Sequence, residues 1–512
     1  MRAEIWDDIV IGAGSSGAVI ASRLSEDSRR RVLLIEAGPD YSGSDVTPLS
    51  LLSALKPARD HDWGFDAEMT PGRRFEYARG RVVGGSSAVN ACLALRGLPS
   101  DYDEWRKFGL EEWSWSDVLP VFRSLEDDVE ISNEYHGQGG PIGVRRHDLS
   151  NLTPGQAAFY AACIDLGFPE TSDHNHPEAS GVGTGPWNID SQGRRISTAM
   201  AYLESARGRK NLRILGDLLV DRVVIEDGRA VAVDVIGPMG RERIDGRRIT
   251  LSGGTIGTPS VLLRSGIGDP VELKRNGIAP IVNRRGVGRN LIDHARIGVG
   301  WMGMPNFVGN DSPYLEVLLR YTSTGSDRLN DMQMMLFQML PEPSLSIRTQ
   351  LMKPLSQGQL CLNSADPLVQ PDIRLNLLTD PEDMRRIIDG LQLIARFVAN
   401  PRIAQIGARS LVLDDGSHMD ASVFSRQIQD VDWAAEYAQR AVRHYVHPVG
   451  TSRMGSPDDP DAVVDQHGKL IGVEGLRVAD ASIMPTIPAA NTNLSCIMIG
   501  ERIAQWMLNE AD

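Results

Sequence analysis

Two short apolar runs near the start of the chain flank a stretch with helical spacing. Residues 8–11 and 31–36 have the length and composition of buried strands, and residues 18–24 have those of a helix. The glycine-rich segment 12–17 joins the first strand to the helix. This order predicts a strand–helix–strand unit.

The middle of the chain contains a hairpin pattern and further helices. Residues 211–235 alternate apolar and polar residues on both sides of an Asp-Gly turn, which predicts a β-hairpin. Residues 253–267 predict a strand end, a turn and a helix. Residues 357–363 alternate like a strand, and residues 383–399 repeat apolar residues at helical spacing.

The length of the chain favours two domains, because 512 residues exceed what one hydrophobic core usually fills. Hydrophobic residues make up 41 % and charged residues 23 %, as in ordinary globular proteins. No low-complexity linker or repeat interrupts the sequence, so the segments of the two domains are predicted to interleave.

Charge and composition also exclude several classes of function. The net charge of -14 argues against binding of nucleic acid or anionic membranes, which needs a clustered Lys/Arg surface. No window approaches the roughly 18 consecutive apolar residues of a membrane-spanning helix. The acidic start of the chain does not fit a secretion signal, and the four cysteines lack a Cys-x-x-Cys spacing. We therefore expect a soluble cytoplasmic protein.

The glycine-rich turn at 12–17 predicts a dinucleotide site. Gly12 and Gly14 allow a pyrophosphate to approach the helix N-terminus, and Gly17 lets the helix pack closely on the strand. Glu36 closes the second strand about 20 residues on, where a carboxylate can accept hydrogen bonds from a ribose. The alternative is a structural turn beside a solvated acidic strand end, and the motif alone does not separate NAD from FAD.

A second loop rich in Gly and Ser follows at residues 79–90, with the sequence RGRVVGGSSAVN. Small residues let backbone lie against a flat ring system, and Ser and Asn supply hydrogen bonds. A simple nicotinamide enzyme would not need this loop, so it favours a flavin.

Five sequence blocks together resemble the glucose–methanol–choline (GMC) flavoprotein oxidoreductases. The blocks are residues 12–17 with Glu36, residues 79–90, residues 254–260 running on to 265–268, residues 286–291 with Asp293-His294, and the stretch HPVGTSRMG at 447–455. The resemblance implies an α/β fold: a Rossmann-like FAD-binding domain interleaved with an α+β substrate domain built on an antiparallel sheet. We assign residues 1–150, 210–296 and 440–512 to the first domain, and residues 151–209 and 297–439 to the second.

The resemblance also implies the site residues. His447 stands where the family carries its catalytic histidine, and Asn491 stands at the second active-site position, which is His in some members and Asn in others. Val220 or Val223 would supply backbone contacts to the adenine. The implied cofactor contacts are Gly12, Gly14, Ser15, Ser16, Gly17, Glu36, Ala37, Arg81, Val83, Gly84, Gly85, Ser86, Asn90, Ala91, Val220, Val223, Gly254, Asp480, Ala481, Asn491 and Asn493.

The chemistry of alcohol oxidation requires these residue types. A neutral imidazole can take the hydroxyl proton near neutral pH, while flavin N5 takes the carbinol hydrogen as hydride. The Asn491 amide can donate to the developing alkoxide and hold the carbinol carbon in line. We therefore assign His447 as the base and Asn491 as its positioning partner, with His444 supporting the loop.

Two departures from the family pattern carry information. Some members attach FAD covalently through a His just before the Asn of the second Gly-rich loop, but that residue is Val89 here. FAD is therefore predicted to be non-covalently bound. The usual Cys of the HPVG stretch is Ser452, a small-for-small change that is not expected to alter the chemistry.

Some residues outside these blocks have a structural and a functional interpretation. Trp105, Trp113 and Trp115 could form a ligand cage, but structural anchoring is favoured. His174 and His176 could bind a metal, but no Cys or acidic cluster completes a coordination shell, so no metal site is predicted.

Methionines and one aspartate present the same choice. A cluster of four methionines could line a pliant pocket, although ordinary core packing is favoured. The methionines are Met332, Met334, Met335 and Met339. Asp480 could contact the cofactor or only cap a helix.

The predicted function is FAD-dependent oxidation of a small primary alcohol, with benzylic, furanic or pyridine-type substrates favoured. Choline-type and long-chain alcohols stay open, as does the choice between O2 and another electron acceptor. A lyase of the hydroxynitrile type, with FAD bound but not reduced, is the main alternative, and a non-enzymatic flavin-binding role is a third. The sequence does not indicate the oligomeric state.

Overall fold

The computed structural model describes residues 5–43, 45–304, 307, 313–339 and 344–510, except for the side chain of Met339. The strands are β1 (Trp6–Ile11), β2 (Val32–Ile35), β3 (Phe65–Thr70), β4 (Arg73–Tyr77), β5 (Glu126–Asp128), β6 (Ile142–Arg146), β7 (Gly181–Thr184), β8 (Pro186–Trp187), β9 (Leu212–Leu215), β10 (Leu219–Glu226), β11 (Arg229–Gly237), β12 (Gly240–Leu251), β13 (Ile267–Gly268), β14 (Val282–Asn283), β15 (Ala295–Met302), β16 (Val317–Tyr321), β17 (Met332–Met339), β18 (Ser344–Leu351), β19 (Gln359–Cys361), β20 (Asp372–Arg374), β21 (Ser410–Leu413), β22 (His418–Asp420), β23 (Arg443–His444) and β24 (Leu476–Val478).

The α-helices are α1 (Gly17–Leu24), α2 (Leu49–Leu52), α3 (Gly85–Val89), α4 (Pro99–Asp103), α5 (Trp115–Leu125), α6 (Pro154–Asp165), α7 (Glu204–Ala206), α8 (Gly254–Arg264), α9 (Pro270–Arg275), α10 (Pro381–Ala399), α11 (Pro401–Gln405), α12 (Ala421–Gln427), α13 (Val431–Ala441) and α14 (Asn493–Asn509). Short 3-10 turns cover Glu104–Phe108, Glu111–Trp113, Leu149–Asn151 and Ala481–Ile483, and Ala199–Leu203 forms a π-helical turn. In the described part of the chain, no helix has the length and apolarity needed to cross a membrane.

The first large sheet contains the predicted strand–helix–strand unit. Its parallel part has the order β24-β12-β1-β2-β9. Gly17 is required where α1 meets β1, because a Cβ there would lie 1.9 Å from the carbonyl O of Gly12. The predicted hairpin is confirmed for β10 and β11, which are antiparallel, and its turn residues Asp227 and Gly228 have positive φ angles of 49° and 78°. The first part of the predicted hairpin is wrong, since residues 212–215 form β9, which lies parallel to β2.

The second large sheet is antiparallel, as expected for the substrate domain. Its order is β22-β21-β15-β18-β17-β16-β7, with β23 beside β15. The predicted helix at 383–399 is α10, which packs on β18. Close packing explains Gly390, since a Cβ there would lie 2.4 Å from Thr349 Oγ1. Through β23 the chain returns to this sheet after residue 440, and the domain boundaries stay a prediction.

Two of the predicted anchor tryptophans, Trp105 and Trp113, pack in the core, as do three residues of the methionine cluster. The buried rings of Trp105 and Trp113 lie 5.9 Å apart, and Trp506 of α14 lies 5.4 Å from Trp113. Met332 and Met334 have no exposed surface, and the same holds for Met335. None of these side chains lines the cavity described below, so the structural interpretation holds for them; the side chain of Met339 lies outside the described residues.

Glu126, Asp128 and His136 form a buried cluster with the composition of a metal site, but their charges are compensated. Arg96 pairs with Glu126, and Arg146 pairs with Asp128 at 2.8 Å. Burial opposes charge on His136, but the carboxylates of Glu126, Asp128 and Asp173 raise its pKa to about 10. The cluster is therefore an internal ion network rather than a set of free ligands.

Candidate active site

A cavity of about 950 Å³ is lined by residues from both large sheets and from the C-terminal segment. Ile11 and Ile35 line it at the carboxyl ends of β1 and β2, the edge where parallel sheets bind ligands. Arg296 and Phe337 line it from the second sheet. The fold therefore brings the N-terminal glycine turn and the HPVG stretch to one enclosed space.

Most of the predicted site residues line this cavity. Those that do not are Gly17, Val83, Gly84 and Val223; the first three shape the loops around it, and the backbone N–H of Val223 donates to Ser265 Oγ. The predicted residues that line the cavity are His447, Asn491, Gly12, Gly14, Ser15, Ser16, Glu36, Ala37, Arg81, Gly85, Ser86, Asn90, Ala91, Val220, Gly254, Asp480, Ala481 and Asn493.

The two glycine-rich loops meet backbone to backbone. The N–H of Gly84 donates to the carbonyl O of Ala13 at 2.8 Å. A Cβ on Gly85 would lie 2.6 Å from the Cα of Gly14, and Gly85 has a φ of +51°. By contrast, a Cβ on Gly14 would have no atom closer than 3.9 Å. The loops thus form a cradle whose open side at Gly14 faces the cavity.

Replacing Gly85 by Ala is expected to destabilise this cradle. A left-handed Ala costs about 1–2 kcal/mol, and the clash with Gly14 adds to that cost. We expect a lower Tm together with at least about tenfold weaker FAD binding, roughly 1.4 kcal/mol. Gly193→Ala is the matched control, because Gly193 has a φ of +73° but open space around its Cβ position. Equal losses of Tm and of FAD affinity in Gly85→Ala and Gly193→Ala would show that the contact between Gly85 and Gly14 has no role.

Glu36 ties the first glycine turn to the end of β2. Its two carboxylate oxygens accept hydrogen bonds from the N–H groups of Ala13, at 2.9 Å, and Gly38, at 3.0 Å. Burial raises the pKa of Glu36 to about 7. The residue therefore shapes the turn as well as lining the cavity, and its contact with a ribose stays a prediction.

A chain of hydrogen bonds fixes the proton positions on two histidines. His294 Nε2 lies 3.2 Å from the carbonyl O of Pro488. A carbonyl only accepts, so Nε2 carries the proton and His294 Nδ1 is an acceptor. His447 Nδ1 lies 3.0 Å from that acceptor and must donate to it. His447 Nε2 is left with its lone pair, which accepts from Asn491 Nδ2 at 3.1 Å.

The electrostatic environment keeps both rings neutral, as this chain requires. Burial, and after it the neighbouring His294, hold the pKa of His447 well below its ordinary value. Burial also lowers the pKa of His294 to about 3. A neutral His447 with a free Nε2 has the protonation state of a general base.

The backbone at His447 is held by a buried carboxylate. Asp293 Oδ1 accepts from the N–H of His447 at 2.9 Å, and Asp293 Oδ2 accepts from Tyr77 OH at 2.6 Å. Val446, just before the histidine, has a φ of +59°, which is unfavourable for a β-branched residue. The contacts of Asp293 fix the backbone from which the imidazole extends.

Asn491 is held by the chain that precedes it. The N–H of Ala489 donates to Asp101 Oδ2 at 2.8 Å, and the carbonyl O of Ala489 accepts from Arg320 at 3.1 Å. The Oδ1 atom of Asn491 is buried without a hydrogen-bond partner among the described residues. The amide thus points its N–H at His447 and keeps one acceptor unused.

Asp480, Asn493 and His444 have clear structural contacts. Asp480 caps the 3-10 turn by accepting from the N–H of Ser482 at 2.8 Å, so capping is present, and it also lines the cavity. Asn493 Oδ1 accepts from Ser15 Oγ at 2.7 Å and joins α14 to the first glycine turn. His444 Nε2 donates to the carbonyl O of Glu76 at 2.8 Å, as expected for a loop-supporting residue.

Three residues around His447 have roles that the sequence motifs did not indicate. His294 and Asp293 lie in a block that marked the family resemblance but had no assigned function. Tyr445 packs its ring 4.5 Å from that of His447. Asp293 and His294 could have been found from the sequence because they lie in a family block. Tyr445 lies in no block, and its contact with His447 is visible only in the structure.

Comparison with known proteins places the chain in one family. Residues 6–296 and 354–500 match the N- and C-terminal profiles of the GMC oxidoreductases. The chain is 34% identical to 5-(hydroxymethyl)furfural oxidase of Methylovorus sp., over 100% of both chains. It is 32% identical to oxygen-dependent choline dehydrogenase 1 of Chromohalobacter salexigens, over 98% of this chain and 95% of that one. Pyridoxine 4-oxidase from Mesorbium loti superposes with a TM-score of 0.87 at 28% identity, over 99% of this chain and 100% of that one.

The fold and the site define an FAD-dependent oxidoreductase. The chain belongs to the GMC oxidoreductase family, whose cofactor is FAD. The described residues fit that cofactor, since the cradle approaches the cavity with backbone alone at Gly14 and the N-terminus of α1 faces the same space. Gly12, Ser15 and Gly85 are the residues that would hold it.

Proposed function

We propose that this protein oxidises a small primary alcohol to the aldehyde, with His447 as the base. The hydrogen-bond chain from Pro488 through His294 to His447 carries the proposal, because it leaves the Nε2 lone pair of His447 at the cavity. A general base in this state contributes about 10²- to 10⁴-fold to the rate.

Asn491 completes the oxygen-binding site. Its Nδ2 donates to His447 Nε2 at 3.1 Å. A substrate hydroxyl would replace this hydrogen bond by two others, donating its proton to Nε2 and accepting from Nδ2. As the proton moves to His447, the same amide N–H stabilises the charge that develops on oxygen.

FAD, when bound, supplies the acceptor for the hydride of the carbinol carbon. Val89 lines the cavity with an alkyl side chain that offers no atom for a covalent link. We therefore expect FAD to be dissociable. Turnover would require O2 or another electron acceptor.

The walls of the cavity favour an alcohol attached to a flat ring. Aromatic and apolar side chains line the cavity together with His447. The rings of Tyr314 and Phe337 pack with their centroids 5.1 Å apart. The activities in the names of the furfural and pyridoxine relatives agree with such a substrate. The lining residues concerned are Leu93, Tyr314, Leu315, Phe337 and Tyr445.

A substrate panel tests this proposal. Benzyl alcohol, furfuryl alcohol, pyridinemethanol and choline would each be assayed with O2 and with an artificial dye as electron acceptor. We expect kcat/KM for the ring-bearing alcohols to exceed that for choline at least about tenfold, roughly 1.4 kcal/mol. Preference for choline would contradict the substrate class. Cyanide release from mandelonitrile with no alcohol oxidised would favour the lyase alternative.

A further inference from the structure

Arg296 is a cation at the cavity for which the described residues provide no hydrogen-bond or ion-pair partner. It is the second residue of β15 and lies two positions after His294, whose ring contacts that of His447. Its side chain is partly buried and lines the cavity. The Nε atom is buried without a hydrogen-bond partner, and no hydrogen bond or ion pair between described residues involves its guanidinium. A buried cation without a partner is costly, so such a site favours an anion.

The charges around Arg296 compensate it only in part, through Asp414. Its neighbour Arg348 pairs with Asp414 at 3.1 Å, which commits that carboxylate. Arg443, paired with Arg296 in the β15–β23 register, stacks on Phe75 at 4.4 Å and donates only to the backbone O of Asp414. Among the described residues, Arg296 therefore has no carboxylate in direct contact. Burial and the charge of Arg348 lower the pKa of Arg296, but an arginine keeps its proton in proteins.

The location of Arg296 distinguishes it from a cofactor phosphate contact. The glycine cradle that suits a pyrophosphate lies at the N-terminus of α1, beyond the first sheet's carboxyl edge. Arg296 instead extends from the second sheet, beside His447, and its charge contributes to the low pKa of His447. Tyr314 and Tyr445 line the same cavity as Arg296.

We propose that Arg296 binds a carboxylate of the substrate, so that the substrate is a hydroxymethyl-substituted aromatic or furanic acid. A guanidinium matches a carboxylate with two parallel hydrogen bonds, and the surrounding aromatic side chains suit the ring that separates the carboxylate from the hydroxymethyl group. The same cation repels a quaternary ammonium, which opposes a choline-type substrate. This inference rests on the proposed alcohol oxidation and specifies its substrate class.

The test compares one pair of substrates in wild-type holoenzyme and in Arg296→Gln. The pair is 4-(hydroxymethyl)benzoate and benzyl alcohol, which differ by the carboxylate. Wild type is expected to prefer the acid in kcat/KM by about 10- to 100-fold, the range of a charge-assisted hydrogen bond. In Arg296→Gln this preference should fall to about one. Arg443→Gln, a second arginine of the same cavity, is expected to keep the preference.

Binding of benzoate gives a readout independent of turnover. Calorimetric titration of the holoenzyme should show benzoate binding that weakens at least about tenfold in Arg296→Gln and is largely retained in Arg296→Lys. If benzoate binds in this way while neither alcohol is oxidised, the anion site stands and the proposed oxidation fails.

Two outcomes would overturn the proposal. One is a wild type that shows no preference for the acid and no binding of benzoate. The other is an Arg296→Gln variant that keeps its FAD but loses rate equally with both substrates, since the cation would then act on the cofactor or the fold. FAD absorbance and Tm of each variant establish that it is folded.

Discussion

Replacing His447 by Ala is expected to lower kcat/KM for an alcohol substrate by about 10²- to 10⁴-fold, the contribution of a general base. The imidazole is the group whose free Nε2 lies within hydrogen-bond reach of Asn491 Nδ2. Asn491 cannot replace it, because an amide does not accept a proton near neutral pH. Steady-state kinetics on protein with full FAD content measure the effect.

His444→Ala is the control for this variant. His444 is also buried, and its Nε2 bonds to a backbone carbonyl rather than facing the base position. We expect this variant to lose stability but much less activity than His447→Ala. Retention of activity within tenfold in His447→Ala would exclude the histidine as the base.

The pH profile gives a second view of His447. The base must be unprotonated, and burial together with His294 holds its pKa below the ordinary histidine value of about 6.5. The active form therefore persists as the pH falls through about 6.5, and kcat/KM should decline only in more acidic solution. A decline centred above that value would contradict the buried, neutral state of the ring.

Replacing His294 by Leu is expected to lower kcat by about 10²- to 10⁴-fold, with a smaller effect on KM. The upper bound is the loss known when a catalytic histidine adopts the wrong tautomer. Leucine cannot accept the proton of His447 Nδ1, so only the weaker contact with Asn491 still favours a lone pair on Nε2. His294 is thus a positioning residue that acts through His447.

His294→Asn is the matched variant. The amide oxygen of Asn can occupy the position of Nδ1 and accept from His447, although the bond to Pro488 is lost. We expect this variant to recover at least about tenfold of the activity that the leucine variant loses. The pH dependence should shift in the leucine variant more than in the asparagine variant. Equal activities and pH profiles would show that the ring of His294 has only a packing role.

Local sequence patterns predicted the elements that carry the cofactor cradle. The strand–helix–strand unit at 6–35 and the hairpin at 219–237 are specified by short-range signals: apolar runs, glycines at tight turns and an Asp-Gly turn. The helix at Pro381–Ala399 was equally accessible because its apolar spacing is regular and Asp380 caps it. Such features depend on neighbours in sequence.

The features that define the chemistry of the site were not accessible in this way. The hydrogen bond between His294 and His447 joins residues 153 positions apart, and that between His294 and Pro488 joins residues 194 apart. Arg296 reads in sequence as an ordinary polar residue of an antiparallel strand. Only the assembled β15, β23 and cavity show that no described residue forms an ion pair with it.

The most direct measurement of the central claim is anaerobic mixing of the holoenzyme with a ring-bearing primary alcohol. The absorbance of the oxidised flavin and the formation of aldehyde are followed in one turnover, for wild type and for His447→Ala. We expect wild type to lose the oxidised-flavin absorbance with one aldehyde formed per flavin, and His447→Ala to do so more slowly by about 10²-fold or more. Flavin that stays oxidised in wild type across the panel, or a variant that reduces it as fast as wild type, would contradict the proposed oxidation by His447.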